Sequence, residues 1–514
     1  MWHSRANLNL FLNQGTPYHF KNEKRSTAYI SSGADLLYGY RRRRRFIFMK
    51  KNIGFISTRF AGTDGVSLES SKWADIFQQN GHNCFWFAGQ LDRDQDMSVL
   101  APEAHFQDEQ NQWINQQVFG RKGRTMLVTR TIHDVRSRLK YRLHEFIKQF
   151  RIDLLIAENA LAIPMHLPLG LALTETIAET QLPTIAHHHD FHWERVRFSV
   201  NAVNDYIRMA FPPNLSNIRH VVINSEAQEQ LALRTGISST IIPNVLDFDN
   251  PPRVSKARTA KFRESIGLTP EDRMILQPTR IIQRKGIEFS IELVKELKDE
   301  RNKLVISHEA GDEGMEYAEW LKDYACEHGV DLRLVTVRIP DPWRKNGGKR
   351  AKYSLWDVYP FADLITYPSL YEGFGNAFIE AIYFKKPILI NRYSTFVRDI
   401  EPLGFDLAVM DGFLSKRTVQ KIIAIFESST RRKKMVRTNY GIARQHYSYS
   451  VLRNQLSAIV KSFFGDFMGQ LSSKSESSRH TGYLYIEPQM VLYKQFESRN
   501  CGSRSARNAN PNVK

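Results

Sequence analysis

Two stretches of this sequence put charged side chains where a folded chain could present them to one extended anionic ligand. The first is Glu372-Gly-Phe-Gly-Asn-Ala-Phe-Ile-Glu380. It follows an apolar run that reads as a strand, and it leads into a helix. Gly373 and Gly375 let the backbone approach a ligand closely. The amides of Asn376 and Ala377, just beyond Phe374 and Gly375, then lie at a helix N-terminus, where free N–H groups and the helix dipole favour a phosphate. Glu372 stands before the helix and Glu380 about one turn inside it, so the two carboxylates can accept hydrogen bonds from hydroxyls on different parts of a ligand. The second stretch is Gln277-Pro-Thr-Arg280-Ile-Ile-Gln-Arg284-Lys285-Gly286. Arg280 and Lys285 sit five apart across a strand-to-helix turn, so both can face one crevice. Two fixed cations suit a diphosphate whose charge grows as a bond to it breaks.

Weaker constellations lie earlier in the chain. His187-His188-His189-Asp190 follows an apolar strand, and Phe191-His-Trp193-Glu-Arg195 follows at once. Aromatic faces with charged tips suit a small polar molecule or a carbohydrate, and packing between domains suits them equally. A zinc site on the histidine run is disfavoured, because adjacent residues of an extended chain point to opposite sides. Glu158-Asn159 closes another strand at a carboxyl edge, where parallel sheets bind ligands. Asp92-Arg-Asp-Gln-Asp96 has the DxD spacing of some metal sites but reads as a short acidic loop. No metal is expected.

The elements that must position these residues alternate. Strands are predicted over 52–57, 84–87, 153–157, 182–186 and 221–224, with helices over 68–80 and 135–150. After a polar, turn-rich stretch at 249–253 the rhythm restarts, with strands over 274–277, 304–307, 332–335, 364–366 and 387–390 and a last helix over 450–464. Repeated strand–helix–strand units imply parallel sheets. A chain of 514 residues with 42% apolar content exceeds one core, since single cores stop growing near roughly 250–300 residues. The organisation predicted is an N-terminal extension over 1–48, disordered or a mis-annotated start before Met49; a first Rossmann-like domain over 49–247; a second over 248–440; a crossover helix over 441–469; and a disordered tail over 470–514.

The formal net charge is +18. Residues 1–48 hold nine Lys/Arg against two Asp/Glu, five of them in Arg41–Arg45, and 471–514 hold seven against three. The remainder is mildly basic, which suits an anionic ligand or weak attraction to acidic lipid. A basic helix near Arg136 to Lys148 would permit peripheral membrane contact. No RNP-like, zinc-finger or helix-turn-helix pattern supports a nucleic-acid partner. Three scattered cysteines, Cys84, Cys326 and Cys501, give no disulfide framework. With no spanning-length apolar run and no signal peptide, a cytoplasmic protein is expected.

Taken together, Arg280, Lys285-Gly286 and the Glu372…Glu380 pair about ninety residues on resemble the retaining glycosyltransferases of family 4. Thr279 stands where that family usually has a glycine. The resemblance covers residues 52–465 and implies an α/β GT-B fold, two facing Rossmann-like domains with a C-terminal crossover helix. It implies a metal-independent hexosyltransferase that needs no cofactor and takes a UDP-, GDP- or ADP-hexose and a small or carbohydrate acceptor. In that reading Arg280 and Lys285 bind the donor pyrophosphate, Glu380 the ribose and Glu372 the hexose, with Phe374, Gly375, Asn376 and Ala377 alongside. Gly65, in Arg59-Phe-Ala-Gly62-Thr-Asp-Gly65, matches the family's glycine-rich loop on the donor. Either His188 or His189 faces the transferred sugar. Glu158, Asn159, Asp190 and Trp193 are candidates for the acceptor side. The alternatives are a nucleotide-sugar epimerase of the same shape, which needs no acceptor, and a non-catalytic nucleotide-sugar-binding protein.

Overall fold

The computed structural model describes residues 50–62, 64–251, 261–307, 315–335 and 353–465. The extension over 1–48 and the tail over 470–514 lie outside these residues. Within them the alternating pattern builds two parallel sheets. The first runs in the order β3-β2-β1-β4-β5-β6-β7, from β1 (Asn52–Ile56), β2 (Asn83–Ala88), β3 (Ser98–Leu100), β4 (Leu154–Glu158), β5 (Thr184–His188), β6 (Ile218–Val222) and β7 (Ser239–Ile241). The second runs β10-β9-β8-β11-β12-β13, from β8 (Arg273–Gln277), β9 (Asn302–Ile306), β10 (Leu332–Leu334), β11 (Leu364–Tyr367), β12 (Ile388–Asn391) and β13 (Ala408–Met410). Both orders reverse after the first strand of the half, between β1 and β4 and between β8 and β11. Loops leaving neighbouring strands at such a point run to opposite faces and open a crevice.

Each sheet is buried on both faces. One face of the first carries Phe87, Leu139, Leu143, Phe146 and Leu171; the other carries Phe55, Trp73, Phe77 and Trp86. The second sheet lies between a cluster around Tyr359, Phe378 and Ile390 and one around Ile291, Leu304 and Ile422. The helix Tyr449–Phe464 crosses back to the first sheet. Its Leu452, Leu456 and Ile459 complete the cluster that holds Phe55 and Trp73, and its Arg453 bonds Gln79 on the helix Gly65–Gln79 at 2.6 Å.

The short edge strands β3, β7 and β13 were not predicted, and among the predicted elements three shifts bear on the site. The basic helix spans Met126–Phe150, capped by Thr125, and so starts nine residues earlier than predicted. Met126 and Leu127 are exposed, which hid the amphipathic stripe, yet Val128 and Ile132 enter the core. Strand β5 is shifted two residues toward the C-terminus and takes in His187 and His188. It pairs with both β4 and β6, so even its histidines are interior. Strand β6 begins three residues early and ends at Val222, leaving Asn224 to cap the helix Ser225–Thr235.

Loops at the carboxyl ends of the two sheets meet. Asn224 donates to the Gly373 carbonyl at 2.6 Å, the Ser225 amide to Asp399 at 2.8 Å, Tyr371 to Glu194 at 2.9 Å, and Asn244 to Asn376 at 2.7 Å. The two order reversals therefore open onto a common cleft.

Candidate active site

The second sheet contributes charge. After β8 the chain turns through a tight helical turn, Gln283–Lys285, ended by Gly286 at φ +59°. A Cβ on Gly286 would lie 2.5 Å from the Pro368 carbonyl, so glycine lets this turn press against the chain leaving β11. That approach brings the Lys285 ammonium onto Glu372. Arg284 lies 3.5 Å from the other Glu372 oxygen and donates to the Tyr371 carbonyl at 3.1 Å. Burial lowers the Lys285 pKa, and the Arg284 and Arg280 charges add to this against the pull of Glu372. Burial opposes the Glu372 charge, yet Lys285 and Arg284 hold its pKa below the usual range. Lys285 and Arg284 meet one carboxylate, and the Arg280 charge acts on Lys285 beside them, so the cation surplus fits a dianionic group. Arg280 is exposed and has no ion pair among the described residues.

The helix Asn376–Tyr383 begins beside them. Its cap, Gly375, has φ +110° and no side-chain cap bond. A Cβ there would lie 2.6 Å from the Tyr393 hydroxyl, which donates to the Phe374 carbonyl at 2.8 Å. The first amides, at Asn376 and Ala377, thus have no side-chain cap from Gly375 and no acidic residue in the first turn. Glu380, one turn on, accepts from Tyr359 at 2.8 Å, and burial raises its pKa.

The first sheet contributes a carboxylate–imidazole cluster. Glu158 is fully buried at the end of β4. Its Oε2 accepts from His187 Nδ1 at 3.0 Å and from His189 Nε2 at 3.4 Å. Burial disfavours the Glu158 charge, but the two imidazoles outweigh it and bring its pKa down to about 2. His189 loses by burial and gains more from Glu158, so its pKa is raised; burial lowers that of His187, whose ring stacks on Trp73 at 4.2 Å. The His189 carbonyl lies 3.7 Å from where a Gly373 Cβ would stand. This cluster therefore adjoins the turn that carries Glu372.

Beside Glu158, between the ends of β1 and β4, lies a cavity open to solvent. It is lined by Thr58, Arg59, Phe106, Glu158, Asn159 and His166 among others. Asn159 has φ +56°, a conformation rare outside glycine. Its side chain holds it there, donating to Asp190 at 2.8 Å and accepting from the His189 amide at 3.0 Å.

Several expected site residues stand elsewhere. His188 is buried away from the cleft, with its Nε2 bonded to His220 Nδ1 at 2.9 Å and its ring against Phe191; its neighbours in the strand point the other way. His189 is the histidine at the cleft. Trp193 stacks on Phe191 at 4.4 Å over a cluster with Val222 and Leu231 and does not line the cavity. Asp190 pairs with Arg195 and reaches the cavity only through Asn159. Gly65 is the exposed first residue of its helix, and a Cβ there would meet nothing within 4 Å. It is Gly62, at φ +84°, that the turn requires.

The spacing argument against a metal holds for His187 and His188, but His187 and His189 lie two apart and share a face. With Glu158 they bring ligand-type atoms within 4.8 Å of one another. The Asp92 loop is tied internally, with Asp92 accepting from Gly62 at 2.9 Å and Asp94 capping the next turn. Arg284, Tyr371 and His187 were not singled out from the sequence. Only the two-residue period of a strand end could have marked His187.

Comparison with known proteins gives one family model, glycosyl transferases group 1, over residues 346–441. A mannosylglucosylglycerate synthase of Petrotoga mobilis is 32% identical over 382 residues, 69% of this chain and 85% of that protein. The mannosylglucosylglycerate synthase of Thermotoga maritima is 30% identical over 441 residues, 79% of this chain and 99% of that protein. Among solved structures, a glycosyltransferase from Rickettsia africae superposes with a TM-score of 0.60 at 15% identity, covering 82% of this chain and all of the other. The fold is GT-B.

Proposed function

The chain belongs to the group 1 glycosyl transferases, and from that premise we propose that it moves a mannosyl group from a nucleoside-diphosphate sugar to a hydroxyl of glucosylglycerate, with retention and without a metal. The sugar and acceptor follow the product named for its relatives. The observation that carries the donor half is the cation surplus of Arg280, Arg284 and Lys285 over Glu372, beside the open N-terminus at Asn376 and Ala377.

The donor diphosphate lies on these cations and amides, which stabilise the charge that develops as the C1–O bond to phosphate breaks. Glu372 exchanges Lys285 for the donor hexose, and Glu380 takes the ribose hydroxyls. The acceptor oxygen attacks C1 from the face the phosphate leaves, and its proton passes to the departing phosphate oxygen, so the anomeric configuration is kept. His189, held by Glu158, faces the transferred sugar. Contact between the two halves excludes water and limits hydrolysis of the donor. The cation surplus supplies the charge that a metal would otherwise bring to the diphosphate. No described helix is long and apolar enough to cross a membrane.

The test is transfer from UDP-, GDP- and ADP-mannose to glucosylglycerate, with and without EDTA, the product anomer read by NMR. One nucleotide should support transfer, unchanged by EDTA, with the donor's α-linkage retained. Inversion, or loss of rate with EDTA that a divalent ion restores, would overturn the mechanism. Transfer to other acceptors only would overturn the acceptor.

A further inference from the structure

The cavity at the β1/β4 reversal has an unusual charge makeup. Its lining includes Arg59, Asp64, Glu158 and His166. Glu158 spends its charge on His187 and His189. His166 is neutral: burial pushes its pKa down to about 4, its Nε2–H donates to the Glu103 carbonyl at 2.9 Å, and its Nδ1 accepts from the Leu169 amide at 3.1 Å.

Asp64 is the N-cap of the helix Gly65–Gln79. One oxygen accepts from the Val66 and Ser67 amides, both at 3.1 Å, and the other from the Ser67 hydroxyl at 2.8 Å. The helix N-terminus therefore already compensates much of its charge. Among the described residues that line it, Arg59 is the only cation. It gives Asp64 a single hydrogen bond, from Nη2 at 3.1 Å, and lies over the Phe106 ring with its Cζ 5.2 Å from the centroid. These two contacts fix the plane of the guanidinium, which has five N–H donors, while its side chain stays 33% exposed.

We propose that Arg59 reads the carboxylate end of the acceptor in this cavity. The proposal rests on the acceptor reading given above and extends it to the residue that selects an anionic acceptor. A guanidinium held in one plane by an aspartate and an aromatic face is prepared for a two-pronged carboxylate contact. Its place at the order reversal, on the same cavity wall as Glu158 and so near His189, lets one acceptor put its carboxylate on Arg59 and its nucleophilic hydroxyl in the cleft. Asp64 is a positioning residue here, turning the fork into the cavity.

The experiment compares glucosylglycerate with glucosylglycerol, in which a hydroxymethyl group replaces the carboxylate. It uses wild type, Arg59→Gln and Arg59→Lys. Wild type should prefer the carboxylate acceptor roughly 10- to 100-fold in kcat/KM, chiefly through KM. In Arg59→Gln the ratio should fall toward one, and Arg59→Lys should recover part of it. A wild type that does not discriminate, or an unchanged ratio in Arg59→Gln, overturns the proposal.

Calorimetric titration with glycerate and with glycerol separates it from the acceptor reading. If wild type uses neither acceptor but binds glycerate over glycerol in an Arg59-dependent way, the carboxylate site stands and the sugar assignment falls. If glycerate binding is absent, or is the same in Arg59→Gln, the site itself falls.

Discussion

Replacing one partner of the Lys285–Glu372 pair should unfold the protein more easily than replacing both would suggest. The side chains are 10% and 11% exposed, and removing one member of a buried pair costs about 3–5 kcal/mol, because a charge is left without its partner. Arg284, 3.5 Å from Glu372 and 41% exposed, keeps part of that carboxylate compensated, so Lys285→Met should cost about 2–3 kcal/mol. Glu372→Gln leaves Lys285 beside two like charges and should cost about 3 kcal/mol. If the residues act as a unit, the double variant should fall short of the sum by about 2 kcal/mol.

Urea unfolding of the ligand-free protein measures all three. The same variants separate counter-ion from ligand. A free nucleoside diphosphate must displace Glu372 from Lys285, so Glu372→Gln should bind it about 5- to 10-fold tighter, a gain near 1 kcal/mol after screening. The intact nucleotide sugar should bind no tighter, because its hexose loses the carboxylate, and transfer should collapse. Single variants costing under about 0.5 kcal/mol and adding without coupling would refute the pair as a buried unit. Weaker diphosphate binding by Glu372→Gln would refute the exchange.

Three further outcomes follow from the geometry. Gly375→Ala puts a Cβ 2.6 Å from the Tyr393 hydroxyl at φ +110° and should cost about 2 kcal/mol or more in unfolding, whereas Gly65→Ala should leave stability within about 0.5 kcal/mol or raise it slightly. His188→Asn should lower the melting temperature by breaking the bond to His220, whereas His189→Asn should chiefly lower kcat; equal effects of the two on turnover would contradict the placement of His188. His166 has a folded pKa of about 4 against 6.5 unfolded, so the unfolded chain takes the proton first as pH falls, and up to about 3 kcal/mol is lost between pH 6.5 and 4. The stability gap between wild type and His166→Gln, measured by urea unfolding, should therefore shrink across that window; a constant gap would disprove it.

The alternating rhythm was legible because strands and helices have different hydrophobic periods, and both glycine-bearing turns announced themselves by types no ordinary loop needs. What the sequence hid follows from the same physics. A histidine run reads as polar loop, yet in the middle of a parallel sheet any side chain becomes interior, so β5 runs through His188. Adjacent histidines point to opposite faces, but the alternate pair His187 and His189 shares a face with Glu158 across the neighbouring strand, a contact between residues 29 apart that no local spacing marks. Arg284 reads as one more base in a loop, and only the turn sets it beside Glu372, 88 residues on. Trp193 carried the composition of a sugar platform, but Phe191, two residues before it, offered the nearer stacking partner.

The returning helix Tyr449–Phe464 also sets a schedule for the chain's birth. Arg453 and Gln79, bonded in the finished protein, are 374 residues apart, which at roughly 5–20 residues per second takes a ribosome on the order of 20–75 s to bridge. Once β7 is made the first sheet is complete in sequence, but until the last helix follows it lacks Leu452, Leu456 and Ile459, and the face that holds Ile76 and Phe77 stays uncovered. The first half thus keeps an apolar face open through synthesis, and only the last helix closes it.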